Sequence, residues 1–443
     1  MKIAIFTDVF IPDINGVSNS TNRFSRLLAA EGHQIIIFCP KSAGYKDPVI
    51  PNITVKRFNS VSFLTYKEIK IALPFIYTII NQLKRFQPDV VHIQTPMPIG
   101  WTGLLATKIL GLKNIQTYHT YIPDDMVYLN PKSIPIVKKL MIRVEDLKIL
   151  KILLDADVFE EMSFKKLKEK LQSKTENIYK KVPKSKTNKI SARFAWEFTR
   201  AVYNRADLVL TPSQTLKKEL KANGIKPRIE VLSNGINLEM FERKTDYRIR
   251  NKILYIGRLG FEKNVEVIIH AVAILAKENK DIILDIVGDG PARLPLEKLT
   301  KNLGLKKNIR FLGFISDEEM KKMHQHYDLF VTASTMETQG LVILEAMTAG
   351  LPVLGVNKLA VPELIKNNVN GYVSVPHHAT DLAKNIKKLL TDSEKLKKFG
   401  RNSVRLASEH EITKCKDRLL KFYIEVADHK KSKNPARLQR KRS

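Results

Sequence analysis

Twice along its 443 residues, this chain alternates short apolar runs with segments whose apolar residues recur at helical spacing. Parallel strands need a crossover between them, and the usual crossover is a helix packed on the sheet. A repeated strand–helix rhythm therefore restricts the chain to open parallel sheets with helices on both faces. The first series begins with a strand over Lys2 to Phe6, a helix near Ser20 to Glu31 and a strand over Gln34 to Cys39. Val90 to Ile93, Asn114 to Tyr118, Asp207 to Thr211 and Ile229 to Leu232 continue it. After a polar linker near Glu239–Arg250, the second series starts with Lys252 to Ile256. It predicts helices over 264–279, 295–303 and 317–327, alternating with strands over 281–287, 308–314 and 328–333. The expected fold class is α/β, with two Rossmann-like parallel-sheet domains, 1–245 and 246–405, facing across a cleft. Residues 395–428 read as helical, and 406–428 as a helix crossing back to the first domain. Residues 429–443 read as a disordered basic tail.

Two cysteines, Cys39 and Cys415, are too few for a disulfide framework or a zinc cluster, which points to a reducing cytoplasm. The start of the chain lacks the pattern of a signal peptide. Nothing approaches the roughly 18 apolar residues of a spanning helix. The net charge is +30, and two segments hold half of it. Residues 164–189 carry ten lysines against two glutamates, and residues 430–443 carry seven basic residues and no acid. Clusters of one sign imply an anionic partner, whether lipid headgroups, nucleic acid or polyphosphate, and an anionic membrane surface is the favoured expectation. Within the lysine runs the lack of interleaved aromatics, Tyr179 and the leading Phe164 excepted, argues against specific nucleic-acid binding. From about Val144 to Lys189 the helical spacing dissolves into Lys, Glu, Ser and Thr, which reads as a basic insertion over about 145–189.

The stretch Glu337-Thr-Gln-Gly340-Leu-Val-Ile-Leu-Glu345 concentrates the chemistry. It follows a strand-like run ending at Ser334, and Gly350 and Pro352 stop the helix that Leu341 starts. Glu337 thus lies at the carboxyl end of a strand, where open α/β sheets bind ligands. Helix donors around Gly340, Leu341 and Val342 suit a phosphate, and Glu337 and Glu345 remain to accept hydrogen bonds from hydroxyls. Phosphate and hydroxyls at one site suggest a nucleotide-sugar. Arg258 and Lys263, after the first strand of the second series, suit a diphosphate, the guanidinium as a fork and the ammonium as a point charge. Gly16, read as lying in the loop after the first strand, would let backbone approach the same diphosphate.

Asn15-Gly-Val17, Tyr118-His-Thr120, Thr211-Pro-Ser213, Ser233-Asn-Gly235, Ile256-Gly-Arg258 with Lys263, Ile286-Val-Gly-Asp-Gly-Pro291 and the Glu337/Glu345 pair occur in that order. This set resembles the GT-B retaining glycosyltransferases of family 4, over about residues 1–140 and 190–425. The opening, with Pro96 and the Tyr118-His119 segment, resembles the branch that glucosylates diacylglycerol or related lipids. The resemblance implies a donor site on 246–405 and an acceptor side on 1–245. It implies that Glu337 holds the donor sugar hydroxyls and Glu345 the ribose. It implies that Arg258 and Lys263 stabilise the leaving diphosphate in place of a metal, and that His119 orients the reacting sugar or assists at the acceptor. The substrates implied are a UDP-sugar, with glucose the expected sugar, and a lipid acceptor. No cofactor and no metal are implied, and the location is peripheral, on the inner face of the cell membrane. Thr338-Gln339 departs from the family loop and is expected to alter contacts to the donor sugar. The same transfer to a sugar phosphate, inositol phosphate or glycan is the alternative, and a nucleic-acid-binding protein on an inactive scaffold is a third reading.

Asp155-Ala-Asp157 imitates the metal motif of a different glycosyltransferase fold, but it follows a helical pattern rather than a strand. Lys67 to Phe86 fits an interfacial helix and an ordinary helix of a layered domain alike. His92 reads as a satisfied strand-end histidine. His33, His270, His324 and His326 read as surface residues, and a histidine near neutrality, such as His119, could also shuttle a proton.

Overall fold

The computed structural model of the chain describes residues 1–13, 15–63, 66–72, 75–122 and 188–428. The chain divides into two compact units, one of residues 1–211, 217–231 and 416–443, the other of 212–216 and 232–415. The expected insertion at about 145–189, the Asp155-Ala-Asp157 motif and the tail 429–443 lie outside the described residues or almost entirely so.

In the first unit the strands are β1 (Lys2–Phe6), β2 (Gln34–Pro40), β3 (Ile53–Phe58), β4 (Ser60–Phe63), β5 (Tyr66–Ala72), β6 (Val90–Ile93), β7 (Asn114–Thr117), β8 (Leu208–Thr211) and β9 (Arg228–Val231). Seven of them form a sheet in the order β3-β2-β1-β6-β7-β8-β9, with every pairing parallel. β4 and β5 form a separate antiparallel hairpin. On one face of the sheet Ala4, Phe6, Ile36, Phe38, Val91 and Ile93 pack with the helices Ile76–Phe86 and Pro98–Leu110. The second unit holds β10 (Lys252–Ile256), β11 (Ile283–Val287), β12 (Ile309–Gly313), β13 (Leu329–Val331), β14 (Val353–Val356) and β15 (Gly371–Ser374), in the order β12-β11-β10-β13-β14-β15. All of its pairings are parallel too. Alternate residues of β10 enter opposite layers. Ile253 and Tyr255 join the core under the helices Val265–Leu275 and Ala379–Leu390, while Leu254 and Ile256 join the core under Leu341–Thr348. A strand buried on both faces reads as an unbroken apolar run, which is why Ile253-Leu-Tyr-Ile256 contains no polar residue.

In both sheets the strand order reverses beside the first strand, between β1 and β6 and between β10 and β13. The loops leaving the carboxyl ends of these four strands are where ligands of such sheets bind. Gly16 follows β1, Gln94 follows β6, Arg258 and Lys263 follow β10, and Glu337 follows β13.

Several boundaries differ from expectation. The main segment of the second unit begins at Leu232, not near 246, because Ile236 and, within the supposed polar linker, Phe241 are buried in its core. The expected helix over Lys67 to Phe86 is a strand followed by a helix, because β5 pairs with β4 before Ile76–Phe86 begins. The helix near Ser20 starts at Gly16, where the Asn15 side chain accepts a hydrogen bond from Ser18 N and caps it. The predicted helix 317–327 ends at Met323 and tightens into a 3₁₀ turn at His324–His326. The last helix, Ile412–Asp428, packs from Lys416 onward with the first unit. There Arg228 bonds Glu425 at 2.9 Å and Lys416 pairs with Glu31. Among the described residues no helix is long and apolar enough to cross a membrane.

Candidate active site

The loop after β10 is held from behind. A Cβ on Gly288, at φ 121°, would lie 2.1 Å from the Gly257 carbonyl oxygen, so only glycine lets the loops after β10 and β11 touch. Leu259 N donates to Asp289 O (2.8 Å) and Ala292 N to Leu259 O (2.8 Å), which fixes the direction in which Arg258 and the turn Phe261–Lys263 leave the sheet. Asn264 Nδ2 reaches Ala333 O and Thr335 Oγ1, both at 3.3 Å, and ties this turn to the loop after β13.

That tie sets Lys263 against Glu337. Lys263 Nζ donates to Glu337 Oε1 at 2.7 Å, with both side chains mostly buried. Burial alone would raise the Glu337 pKa. The Lys263 charge, its hydrogen bond and a further one from Ser334 outweigh burial and leave the carboxyl below its ordinary range. Glu337 is therefore an anion at neutral pH, with lone pairs beyond the one given to Lys263. Arg258 pairs in the same way with Glu262 at 2.7 Å. Sequence reasoning missed Glu262. Its signal was the i, i+4 spacing from Arg258, which any surface helix also shows. The four groups carry two positive and two negative charges. A diphosphate here would meet two cations that are already paired, and it would bind by taking over part of their hydrogen bonding.

Gly340 caps the helix Leu341–Thr348 in the left-handed region, φ 88°. A Cβ there would sit 2.9 Å from Ile343 Cδ1. The Gly340 carbonyl accepts from Ile343 N and Leu344 N, so the N–H groups of Leu341 and Val342 precede the helical ladder and have no partner within it. Glu345, half-buried, lies four residues after Leu341 on the same helix face. The structure thus brings Arg258, Lys263, Glu337 and Gly340, on loops, and Leu341, Val342 and Glu345, in the first turns of the next helix, to one end of one sheet. Gln339 does not project among them. It is buried, its amide nitrogen donates to Ser233 Oγ at 2.6 Å and its oxygen accepts from Asn234 N at 3.0 Å. In this geometry Gln339 braces the loop Ser233-Asn-Gly235, so its effect on donor contacts runs through that loop.

In the first unit His119 lies just beyond β7, with Nε2 2.6 Å from Gln94 Oε1. Burial pulls its pKa down to about 4, so the imidazole is neutral at pH 7. His92 is buried and satisfied, bonded to Tyr423 Oη (2.6 Å) and Thr117 Oγ1 (2.7 Å). His324 is not a surface residue, since its ring is buried edge-on against Phe241. Gly16 is the first residue of its helix and exposed, not part of a free loop. Sequence reasoning also missed Asp8, a buried carboxylate beyond β1. It accepts from Thr95 Oγ1 (2.7 Å), Ile99 N (2.9 Å) and Gly100 N (3.3 Å), and so caps the helix Pro98–Leu110 from a distance. Burial drives its pKa up to about 6 despite those bonds. A cavity of about 910 Å³ between Met1, Lys84, Asp89 and Leu112 lies at the amino ends of β1, β6 and β7, the opposite end from His119, and has no part in this chemistry. Among the described residues no cluster of His, Cys, Asp or Glu could hold a metal ion.

The family description "Glycosyltransferase Family 4" matches residues 14–150 and 177–240, and "Glycosyl transferases group 1" matches residues 239–405. An alpha-monoglucosyldiacylglycerol synthase of Streptococcus pneumoniae is 26% identical over 86% of this chain and 77% of its own length. One of Acholeplasma laidlawii is 26% identical over 80% of each. A sulfoquinovosyl transferase of Arabidopsis thaliana is 23% identical over 90% of this chain and 69% of its own length. Among solved structures, sucrose-phosphate synthase from Thermosynechococcus elongatus superposes with a TM-score of 0.69, covering 96% of this chain and 99% of that one at 18% identity. Anabaena HepE in complex with UDP and glucose superposes at 0.67, covering 96% of this chain and all of that one, also at 18% identity. With these matches laid over two parallel-sheet units and a paired acid–base loop, the chain is a glycosyltransferase of GT-B fold that carries a family 4 domain followed by a group 1 domain.

Proposed function

We propose that the protein moves a hexose, glucose in the first instance, from a UDP-sugar to the hydroxyl of a lipid such as diacylglycerol, with retention and without a metal ion. The observation that carries this reading is the Lys263–Glu337 pair beside the Gly340 helix start. A charge-stabilised carboxylate there would accept hydrogen bonds from sugar hydroxyls, while the Leu341 and Val342 N–H groups and Arg258 take phosphate oxygens. In the transfer, the bond between the anomeric carbon and the diphosphate oxygen breaks as the acceptor oxygen bonds to that carbon on the same face. The departing phosphate oxygen takes the acceptor's proton. Lys263 and Arg258 offset the charge that grows on the diphosphate, which is the work a divalent ion does elsewhere. Glu345 is assigned to the ribose, and Gly16 and His119 to the first unit's share of the substrates. The lipid acceptor is supported by the monoglucosyldiacylglycerol synthases among the relatives, and by the basic segments as a means of holding the protein to the inner face of an anionic membrane.

The test is UDP release and glycolipid formation from UDP-glucose on vesicles containing diacylglycerol, comparing the wild type with Glu337→Ala. Glycolipid made by the wild type and lost in the variant is the expected result. UDP release without glycolipid would move the acceptor to a soluble molecule. No turnover of any common nucleotide-sugar would sink the proposal.

A further inference from the structure

His92 and Gln94 are two residues apart at the end of β6, and Thr117 and His119 are two apart at the end of β7. Alternate residues of a strand share a face, and β6 and β7 are parallel neighbours. The register sets His92 opposite Ile115, so the two pairs meet on a diagonal, each offset by two residues. His92 Nε2 lies 2.7 Å from Thr117 Oγ1, and Gln94 Oε1 lies 2.6 Å from His119 Nε2. The two contacts are linked along β6 by Gln94 Nε2, 3.3 Å from His92 Nδ1. Tyr423, from the last helix, reaches the same His92 nitrogen at 2.6 Å with its ring edge-on to the imidazole.

A neutral imidazole has one donor and one acceptor, and an amide oxygen only accepts. With Gln94 Oε1 on His119 Nε2, the His119 proton must sit on Nε2. The Gln94 amide then donates to His92 Nδ1 at 3.3 Å, sharing that nitrogen's one lone pair with the closer Tyr423 Oη, and His92 Nε2–H donates to Thr117 Oγ1. No buried polar atom in this chain of bonds is left without a partner. His119 Nδ1 has no hydrogen-bond partner among the described residues.

We propose that Gln94 is a positioning residue that makes His119 a fixed hydrogen-bond acceptor. Anchored on His92 and, through it, on Tyr423, it pins the His119 proton on Nε2 and leaves Nδ1 to accept from a sugar hydroxyl. The assignment of that hydroxyl rests on the reading of His119 given under Proposed function; the bond chain itself does not. Fully satisfied buried networks of this kind fix a single geometry, because each misplaced bond would leave another group bare. The titratable groups packed around the chain are His92 on β6, Tyr423 on the last helix and Tyr203 on the helix Asn188–Tyr203, whose hydroxyl donates to Thr117 O at 3.4 Å. Burial keeps all three uncharged at pH 7.

The test is ¹⁵N-histidine NMR on the full chain, with His119 assigned by His119→Ala, alongside glucose transfer from UDP-glucose on diacylglycerol vesicles. The wild type is expected to show the Nε2–H tautomer at neutral pH. Gln94→Leu is expected to lose that preference, and Gln94→Glu to favour the imidazolium. Each should lower kcat by about tenfold, the worth of one hydrogen bond of ordinary strength, with a smaller change in donor KM. Tyr423→Phe keeps the Gln94 bond and should retain the tautomer. A wild-type proton on Nδ1, the network that results if the Gln94 amide is turned over, would overturn the proposal. So would an unchanged tautomer in Gln94→Leu. A wild-type rate in His119→Ala with the Nε2 tautomer present would instead overturn the role at the sugar and leave the bond chain standing.

Discussion

Replacing Lys263 by methionine keeps the length and apolar stem of the side chain and removes only the ammonium. The charge lies 2.7 Å from Glu337 Oε1. At an effective dielectric of about 20 the gross attraction over that distance is about 6 kcal/mol. Taking both ions out of water offsets much of it. An opposite charge this close is worth a factor of about 10 to 1,000 in a carboxylate's protonation constant, roughly 1.4–4 kcal/mol. In the wild type, burial pushes the Glu337 pKa up, and the Lys263 charge and hydrogen bond, together with the bond from Ser334, more than reverse the push. In Lys263→Met the push has no such opponent, because the bond from Ser334 is the weakest of the opposing causes. The sign of the pH effect therefore inverts. The wild-type pair stabilises the fold above the ordinary glutamate range and loses that stability as pH falls through the depressed pKa. The variant is destabilised instead as pH rises through a raised pKa. Selective ¹³C-carboxyl NMR, with Glu337 assigned by Glu337→Gln, reads both titrations. The expectation is a depressed midpoint in the wild type and a raised one in the variant, accompanied by loss of transfer at the pH values where Glu337 is protonated. Equal midpoints in the two proteins would refute the argument.

Gln339→Ala leaves Ser233 Oγ and Asn234 N–H without their partner and should cost about 1–3 kcal/mol, seen as a lower denaturant midpoint for the second unit's transition. Gly340→Ala places a methyl 2.9 Å from Ile343 Cδ1 in a left-handed conformation; a cost of about 1–2 kcal/mol and a raised KM for the nucleotide-sugar are expected from denaturation and steady-state kinetics. Asp8 has its pKa raised to about 6 by burial, so its share of stability is complete below about pH 4 and is lost as pH rises to about 6. Asp8→Asn keeps an oxygen for the Ile99 N–H and should flatten the stability profile across that window, as followed by thermal melts at pH 4, 5, 6 and 7.

The sheets were legible because their strands are buried on both faces and so are written as apolar runs. Lys252–Ile256 and Lys2–Phe6 occupy the positions read from the sequence. Glu337, Gly340 and Glu345 were legible because a strand end, a glycine and a helix start are all local signals. What escaped depends on partners distant in sequence. β5 is a strand because β4 is beside it, and its alternation, Glu68-Ile69-Lys70-Ile71, is too short to stand out against the helical pattern that follows. The bracing role of Gln339 was not legible, because its partner Ser233 lies 106 residues earlier. His324 looked exposed because its helix is polar, and its burial comes from Phe241. The His92–Gln94–His119 chain needed two strands and Tyr423, 331 residues beyond His92, to become visible.

The placement of that last helix has a consequence for biogenesis. Residues 232–415 supply all but five residues of the second unit, whereas the first unit is incomplete until 416–428 are made. During synthesis the later unit can therefore finish before the earlier one, reversing the usual N-terminal-first order of multidomain chains. Until Tyr423 emerges from the ribosome, His92 is short of a hydrogen-bond partner, and the nascent first unit offers chaperones the apolar surface that Leu419, Phe422 and Tyr423 later cover.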